Sequence, residues 1–277
     1  MNEAPPLWDT LFSKHLEENN IVVRAKNAST MGPEDFKNIR FNGFGASDSS
    51  KILDVNPFPG GNPKDLLKEK IERHHDETIG HKAVVRMGSE LEDLIISKIA
   101  EILDKTIVKP SHMYAKEFNG LTTNFDGVLV LNSNKSPYIP AEIKTISMYG
   151  RKYYNFKKGI EIENNKGEPQ VEGYECVTDF VIESEFAPEG YREDLKPLQK
   201  HIYHNAEQIG IPAYYYTQVQ QQIDFVNAPY GLLITLDVKE WRLHLFKIPR
   251  DQITINSLNA RAKKLYDRLK KAREQEA

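Results

Sequence analysis

Hydrophobic and polar positions alternate most regularly near the middle of the chain. In TTNFDGVLVL (122–131) Val128 and Val130 flank Leu129 behind the pair Asp126 and Gly127, and the turn residues NSNKSP separate this run from YIPAEIKTI (138–146). That pattern predicts two strands joined as a hairpin. A second regular stretch, MGSELEDLIISKIAEILDK (87–105), has the period of a helix. Projected at about 100° per residue from Leu91, the residues Ile95, Ile96, Ile99, Ile102 and Leu103 fall on an arc of about 20° to 140°. Glu92 lands at about 100°, amid the isoleucines. Such a carboxylate either pairs with a cation or stays wet in a frayed first turn, where it offsets the helix dipole.

The remaining runs fill in the order of elements. Residues 6–20 predict a helix with Leu7, Leu11 and Phe12 inward, followed by a short strand over 21–24. GASDSSKILD (45–54) predicts a tight turn into a short helix with Ser47 or Asp48 as N-cap, and PKDLLKEKIE (63–72) another helix. HHDETIGH (74–81) is a polar loop. PAYYYTQVQQQIDF (212–225) predicts a helix with Tyr214, Gln218, Gln221 and Phe225 on one stripe, and 230–248 predicts two strands. SLNARAKKLYDRLKKAREQ (257–275) is a cationic helix, either a solvated face or the border of a DNA channel.

Composition narrows the class. With 277 residues and 39% hydrophobic content the chain suits one elaborated domain. No apolar run has membrane-spanning length and the first residues lack the pattern of a signal peptide, so a soluble, cytoplasmic protein is expected. The single cysteine, Cys176, excludes an internal disulfide and a multi-cysteine metal site, leaving oxygen or histidine ligands for any metal. A net charge of -3 argues against coating nucleic acid by bulk charge and leaves room for a local basic groove.

The hairpin carries the candidate chemistry. Glu142 and Lys144 lie two apart on one strand and share a face, with Ile143 on the other. Asp126 precedes the neighbouring strand and can reach the same place, as can Glu92. Clustered carboxylates repel unless a cation joins them, and hard oxygen ligands select magnesium or manganese. Phosphodiester hydrolysis uses that set: one metal polarises the phosphoryl oxygen and supplies the nucleophilic water, a second stabilises the leaving oxygen, and a lysine orients the water. The spacing D-x15-E-x-K fits an exposed salt ladder on a hairpin equally well.

Several motifs in order break that tie. R40-FNGFGAS-47, N56-PF, G88-SELE-92, N124-FDG-127, E142-IK-144 and Y216-TQVQ-220 together resemble the YqaJ-like viral recombinases, the phage lambda exonuclease family of the PD-(D/E)xK nuclease superfamily. The resemblance covers residues 38–147 and 212–248. It implies an α/β restriction-endonuclease-like core: a mixed central sheet of four or five strands flanked by helices, here a single domain with an inserted subdomain. It implies metal ligation by Asp126, Glu142 and the Ile143 carbonyl with Glu92 as a further acidic group, Lys144 at the attacking water, and Gln218 supporting Lys144 or the scissile phosphate. Arg40 and Ser47 match the positions that hold a 5′-terminal phosphate, and a glycine-rich turn entering a helix does offer N–H groups to an anion.

The implied activity is a Mg2+-dependent DNA exonuclease, with two ions and with Mn2+ able to substitute, degrading linear duplex 5′ to 3′ from a phosphorylated end in phage-type recombination, in the host cytoplasm if phage-encoded. Implied partners are DNA, a single-strand annealing protein and further copies of the chain in a ring trimer. A structure- or sequence-specific endonuclease on the same core, and a catalytically inactive DNA-binding module, are the alternatives. Two departures stand out. Phe125 replaces a proline frequent in the superfamily, and Lys144 and Gln218 are 74 positions apart (218 − 144), which marks an insertion at about 148–211. Within it YGRKYYNFKKG (149–159) mixes cations with aromatics as a DNA-contacting loop does, or as a solvated loop with packed tyrosines. Residues 171–186 read as a strand, 189–205 as partly helical, and His201 and His204 as ordinary surface histidines.

Overall fold

Residues 138–146 form a nine-residue strand whose polar positions Glu142 and Lys144 alternate with the buried Ala141 and Ile143, and the rest of the fold is arranged around it. The computed structural model describes residues 7–27, 31–73, 83–131, 137–146, 150–156, 160–161 and 196–276. A three-stranded antiparallel sheet contains β1 (Val22–Ala25), β3 (Met113–Lys116) and β4 (Leu121–Thr123) in the order β1-β3-β4. The larger sheet contains β2 (Thr106–Val108), β5 (Gly127–Val130), β6 (Tyr138–Ile146), β7 (Ile160–Glu161), β8 (Tyr230–Asp237) and β9 (Arg242–Pro249), ordered β2-β5-β6-β8-β9-β7.

Six strands replace the expected four or five because the edges β2 and β7 are only three and two residues long, too short to leave a period in the sequence. The β5–β6 hairpin is antiparallel, whereas β6 and β8 run parallel, with Glu142 beside Leu233 and Lys144 beside Thr235. A parallel neighbour demands a long crossover. That crossover ends in α6 (Pro197–Ile209) and α7 (Ala213–Val226), and α7 lies across the face bearing Glu142 and Lys144. Gly231, on that face of β8, makes the approach feasible, since a Cβ there would sit 2.6 Å from Val219 Cγ1 of α7. On the opposite face lies α5 (Ala83–Leu103), whose Gly88 would place a Cβ 2.9 Å from Thr145 Oγ1.

Against α7 pack α3 (Ser49–Leu53) and α8 (Gln252–Glu276), and α4 (Pro63–Glu72) packs on those two, while α1 (Leu7–Glu18) and α2 (Pro33–Phe41) complete the described helices. In α1 the inward stripe is Phe12 and Leu16, both fully buried, and Leu11, expected inward, is 51% exposed. The stripe follows i, i+4 from Phe12, whose ring packs edge-on against Tyr114 and Phe125. The Leu7 side chain lies outside the described residues. Because α5 starts at Ala83, Glu92 is in mid-helix, so a frayed first turn beside the dipole does not describe it.

Of the segment 148–211 the structure describes a 3-10 turn at Arg151–Tyr153, β7 paired to β9, and α6. The strand expected at 171–186, the first part of 189–205, the ends of 149–159 and the loop at 74–81 lie outside the described residues. His204 is exposed, but His201 is not an ordinary surface residue: its Nε2 is 2.8 Å from Asp251 Oδ2, which also accepts from Tyr216 Oη at 2.9 Å. That acid arrives from the turn before α8, fifty residues on, so no helical spacing reveals it. Among the described residues no helix is long and apolar enough to cross a membrane.

Candidate active site

Asp126 sits one residue ahead of β5, where the fully buried Phe125 ring anchors the chain against Phe12 and Tyr114. The large apolar Phe125 thus fixes the backbone that delivers the carboxylate. Asp126 Oδ2 accepts the Ile143 N–H at 3.0 Å, just past the Gly127–Ala141 pair that ends the β5–β6 ladder. The N–H and C=O of one strand residue point to the same side, so the Ile143 carbonyl faces the Asp126 side as well.

Glu142 is 1% exposed, and both of its carboxylate oxygens have polar partners. Lys144 Nζ contacts its Oε1 and lies 3.5 Å from Asp126 Oδ2, bridging the two acids. Gln218 donates to Oε1, and Gln222, one helical turn later, donates to Oε2 at 2.6 Å. Burial and the Asp126 charge push the Glu142 carboxyl up to about 7, against the pull of Lys144 and Gln222. Burial works against the Lys144 ammonium, yet Glu142 and Asp126 outweigh it and hold its pKa above the ordinary value. The Tyr215 ring, 5.8 Å from Lys144 Nζ, lies under the ammonium.

Glu92 stands apart from this trio. Its Oε2 accepts from Lys109 Nζ at 3.1 Å, and Lys109 also reaches Asp93 Oδ1 at 2.9 Å. Burial first and the charge of Asp126 second raise the Glu92 pKa, so the two acids feel each other without converging. Among the described residues no three acids, histidines or cysteines gather closely enough to hold a metal by themselves. The oxygen donors facing one another are Asp126, Glu142 and the Ile143 carbonyl. Two mutually repelling carboxylates joined by an ammonium are chemically suited to a hard divalent cation, which would offset the same repulsion.

Arg40 and Ser47 come together at a second place. Arg40 Nη2 donates to Ser47 Oγ at 3.1 Å on the surface. The loop between them is stitched to β4 by Phe44 N–H to the Gly120 carbonyl at 2.8 Å and Thr122 N–H to the Phe44 carbonyl at 2.8 Å. Only glycine fits at 43, where a Cβ would lie 2.6 Å from the Gly120 carbonyl oxygen. Asp48 occupies the N-cap position of α3 but does not cap it; its Oδ2 accepts from Gly45 N–H at 2.9 Å instead. Ser49 Oγ donates to Gln221 Oε1 at 2.6 Å, coupling this loop to α7.

Sequence reasoning missed Gln222, Lys109 and Tyr215. The i, i+4 spacing from Gln218 to Gln222 was the available signal for the first. The other glutamines of α7 are not a solvated face: Gln220, Gln221 and Gln222 are fully buried, and each bonds a distinct partner.

The family model of the YqaJ-like viral recombinase domain matches residues 35–180. Among solved structures, a crystal structure of an alkaline exonuclease (LHK-Exo) from Laribacter hongkongensis is similar, with a TM-score of 0.52, 12% identity, and coverage of 88% of this chain and 96% of that chain. The crystal structure of LHK-Exo in complex with dAMP is similar at a TM-score of 0.50 and 12% identity, covering 86% and 92% of the two chains. No curated protein matches the chain. The nuclease-like fold and a match spanning more than half of the sequence place the chain in the YqaJ-like viral recombinase family.

Proposed function

We propose that the protein is a Mg2+-dependent exodeoxyribonuclease that degrades linear duplex DNA 5′ to 3′ from a phosphorylated end. The observation carrying this reading is the meeting of Asp126, Glu142 and Lys144 at the head of the β5–β6 hairpin, with Gln218 and Gln222 gripping both oxygens of Glu142. Asp126, Glu142 and the Ile143 carbonyl would hold the metal, and Glu92 would add negative charge nearby. A bound divalent ion supplies Lewis acidity toward the scissile phosphate and a more acidic water. Lys144 orients that water and balances charge developing on the phosphoryl oxygens. Gln218 and Gln222 fix the Glu142 rotamer, so the ligand geometry is set before DNA arrives. Arg40 and Ser47 would take the 5′ phosphate, through the fork geometry of the guanidinium and a hydroxyl donor.

The resemblance also supports DNA recombination as the setting, with a single-strand annealing partner and assembly into a ring. The test is a time course on linear duplex with 5′-phosphate or 5′-hydroxyl ends in magnesium, beside Lys144→Ala and a covalently closed circle. Faster loss of the phosphorylated strand, abolished by the substitution, is the expected result. Cutting of the circle would assign an endonuclease, and silence on every substrate, in magnesium and in manganese, would leave a binding module.

A further inference from the structure

Beneath the Arg40–Ser47 surface lies a buried ion pair that takes no part in the proposed chemistry. Lys70 Nζ is 2.9 Å from Asp48 Oδ2, with side chains 2% and 5% exposed. The same ammonium donates to the Arg40 carbonyl at 3.1 Å, and the same carboxylate oxygen accepts from Gly45 N–H. The pair therefore grips both ends of the loop that presents Arg40 and Ser47. From below, Arg273 Nη2 donates to the carbonyls of Phe41 at 2.7 Å and Lys70 at 3.2 Å, so α8 pins the last turns of α2 and α4 from which Arg40 and Lys70 project.

Asp48 places a negative charge next to a site meant for an anion. Burial opposes that charge, but Lys70 and then Arg40 outweigh burial and keep the carboxyl ionised below its ordinary value. Without Lys70, the carboxylate would draw on Arg40 and repel a phosphate. We propose that Lys70 is a positioning residue for end recognition: by neutralising Asp48 and holding the Arg40 carbonyl, it keeps Arg40 and Ser47 available to a DNA 5′ phosphate. This rests on the reading of Arg40 and Ser47 as 5′-phosphate ligands.

Two substitutions separate this role from simple structural support. Lys70→Met and Asp48→Asn each break the same buried pair, so both lower the unfolding temperature. Their effects on end preference carry opposite signs. Taken as the ratio of KM for 5′-hydroxyl to KM for 5′-phosphate duplex, the preference falls about tenfold in Lys70→Met, the scale of one charge-assisted contact, and rises above wild type in Asp48→Asn. The double variant, with neither charge, returns toward the wild-type ratio. A ratio unchanged in both single variants, or shifted the same way in both, overturns the proposal while leaving the phosphate site standing. A wild-type protein indifferent to the 5′ phosphate overturns the phosphate site and this proposal with it. Should Lys70→Met fail to fold, the sign in Asp48→Asn decides: a preference that falls or stays level is the overturning result.

Discussion

Gln222 donates through Nε2 to Glu142 Oε2 at 2.6 Å from the turn of α7 that follows Gln218. The carboxylate is thus held from one helix at both oxygens, and its freedom to rotate is gone.

Replacing Gln222 by Met removes one of those grips while filling most of the volume. The Oε1 of Gln222 is buried without a hydrogen-bond partner, so the substitution also deletes an unfavourable group. Unfolding free energy should fall by less than about 2 kcal/mol, below the usual cost of losing a bond to a charged group. Turnover should fall about tenfold with KM for DNA unchanged, because the interaction orients a ligand and does not bind substrate. Urea titration and steady-state kinetics on one preparation would check both, and an unaltered kcat would remove Gln222 from the site.

As a metal ligand, Glu142 would make stability and metal binding depend on pH in opposite senses. Its folded carboxyl titrates at about 7, above the ordinary 4.5, so its protonated form favours the fold. The contribution is complete below about 4.5 and is lost as pH rises through about 7. In EDTA the unfolding temperature should therefore drop between pH 6 and pH 8, with magnesium restoring more of it at pH 8, because a metal binds the ionised carboxylate. Thermal melts with and without magnesium at the two pH values test this. An equal magnesium shift at both would mean that Glu142 is not a ligand.

Lys109 controls how readily Glu92 ionises. Its hydrogen bond and charge pull the Glu92 pKa down against burial and Asp126. In Lys109→Met that pull disappears and the Glu92 pKa climbs, so the acid limb of the pH profile of kcat/KM should move to higher pH. A limb that stays in place would show that Glu92 does not ionise on the reaction path.

Much of this arrangement is written in local patterns. The β5–β6 hairpin, the helical period of α5 and the paired runs of β8 and β9 alternate at the spacing their burial demands, and Asp126, Glu142 and Lys144 follow from that alternation. What local pattern cannot carry is a partner supplied from elsewhere. Lys109 meets Glu92 across seventeen residues, Asp251 meets His201 across fifty, and Arg273 reaches Asn42 across 231. Buried glutamines mislead for the same reason: a polar residue reads as solvated until the acceptor facing it is known. Leu11 misleads in the other direction, an apolar residue left outside because Phe12 and Leu16 already fill the contact.

The parallel pairing of β6 with β8 also sets an order of events during synthesis. The strand bearing Glu142 leaves the ribosome first, while the glutamines that hold its carboxylate follow 76 and 80 residues later and β8 later still. Contacts so distant along the chain form slowly and late. A half-made chain therefore carries the β5–β6 hairpin with its acids and lysine before the glutamines that hold Glu142 exist. The full grip on Glu142 is withheld from the nascent protein until nearly all of the described sheet can close, a delay built into strand order alone.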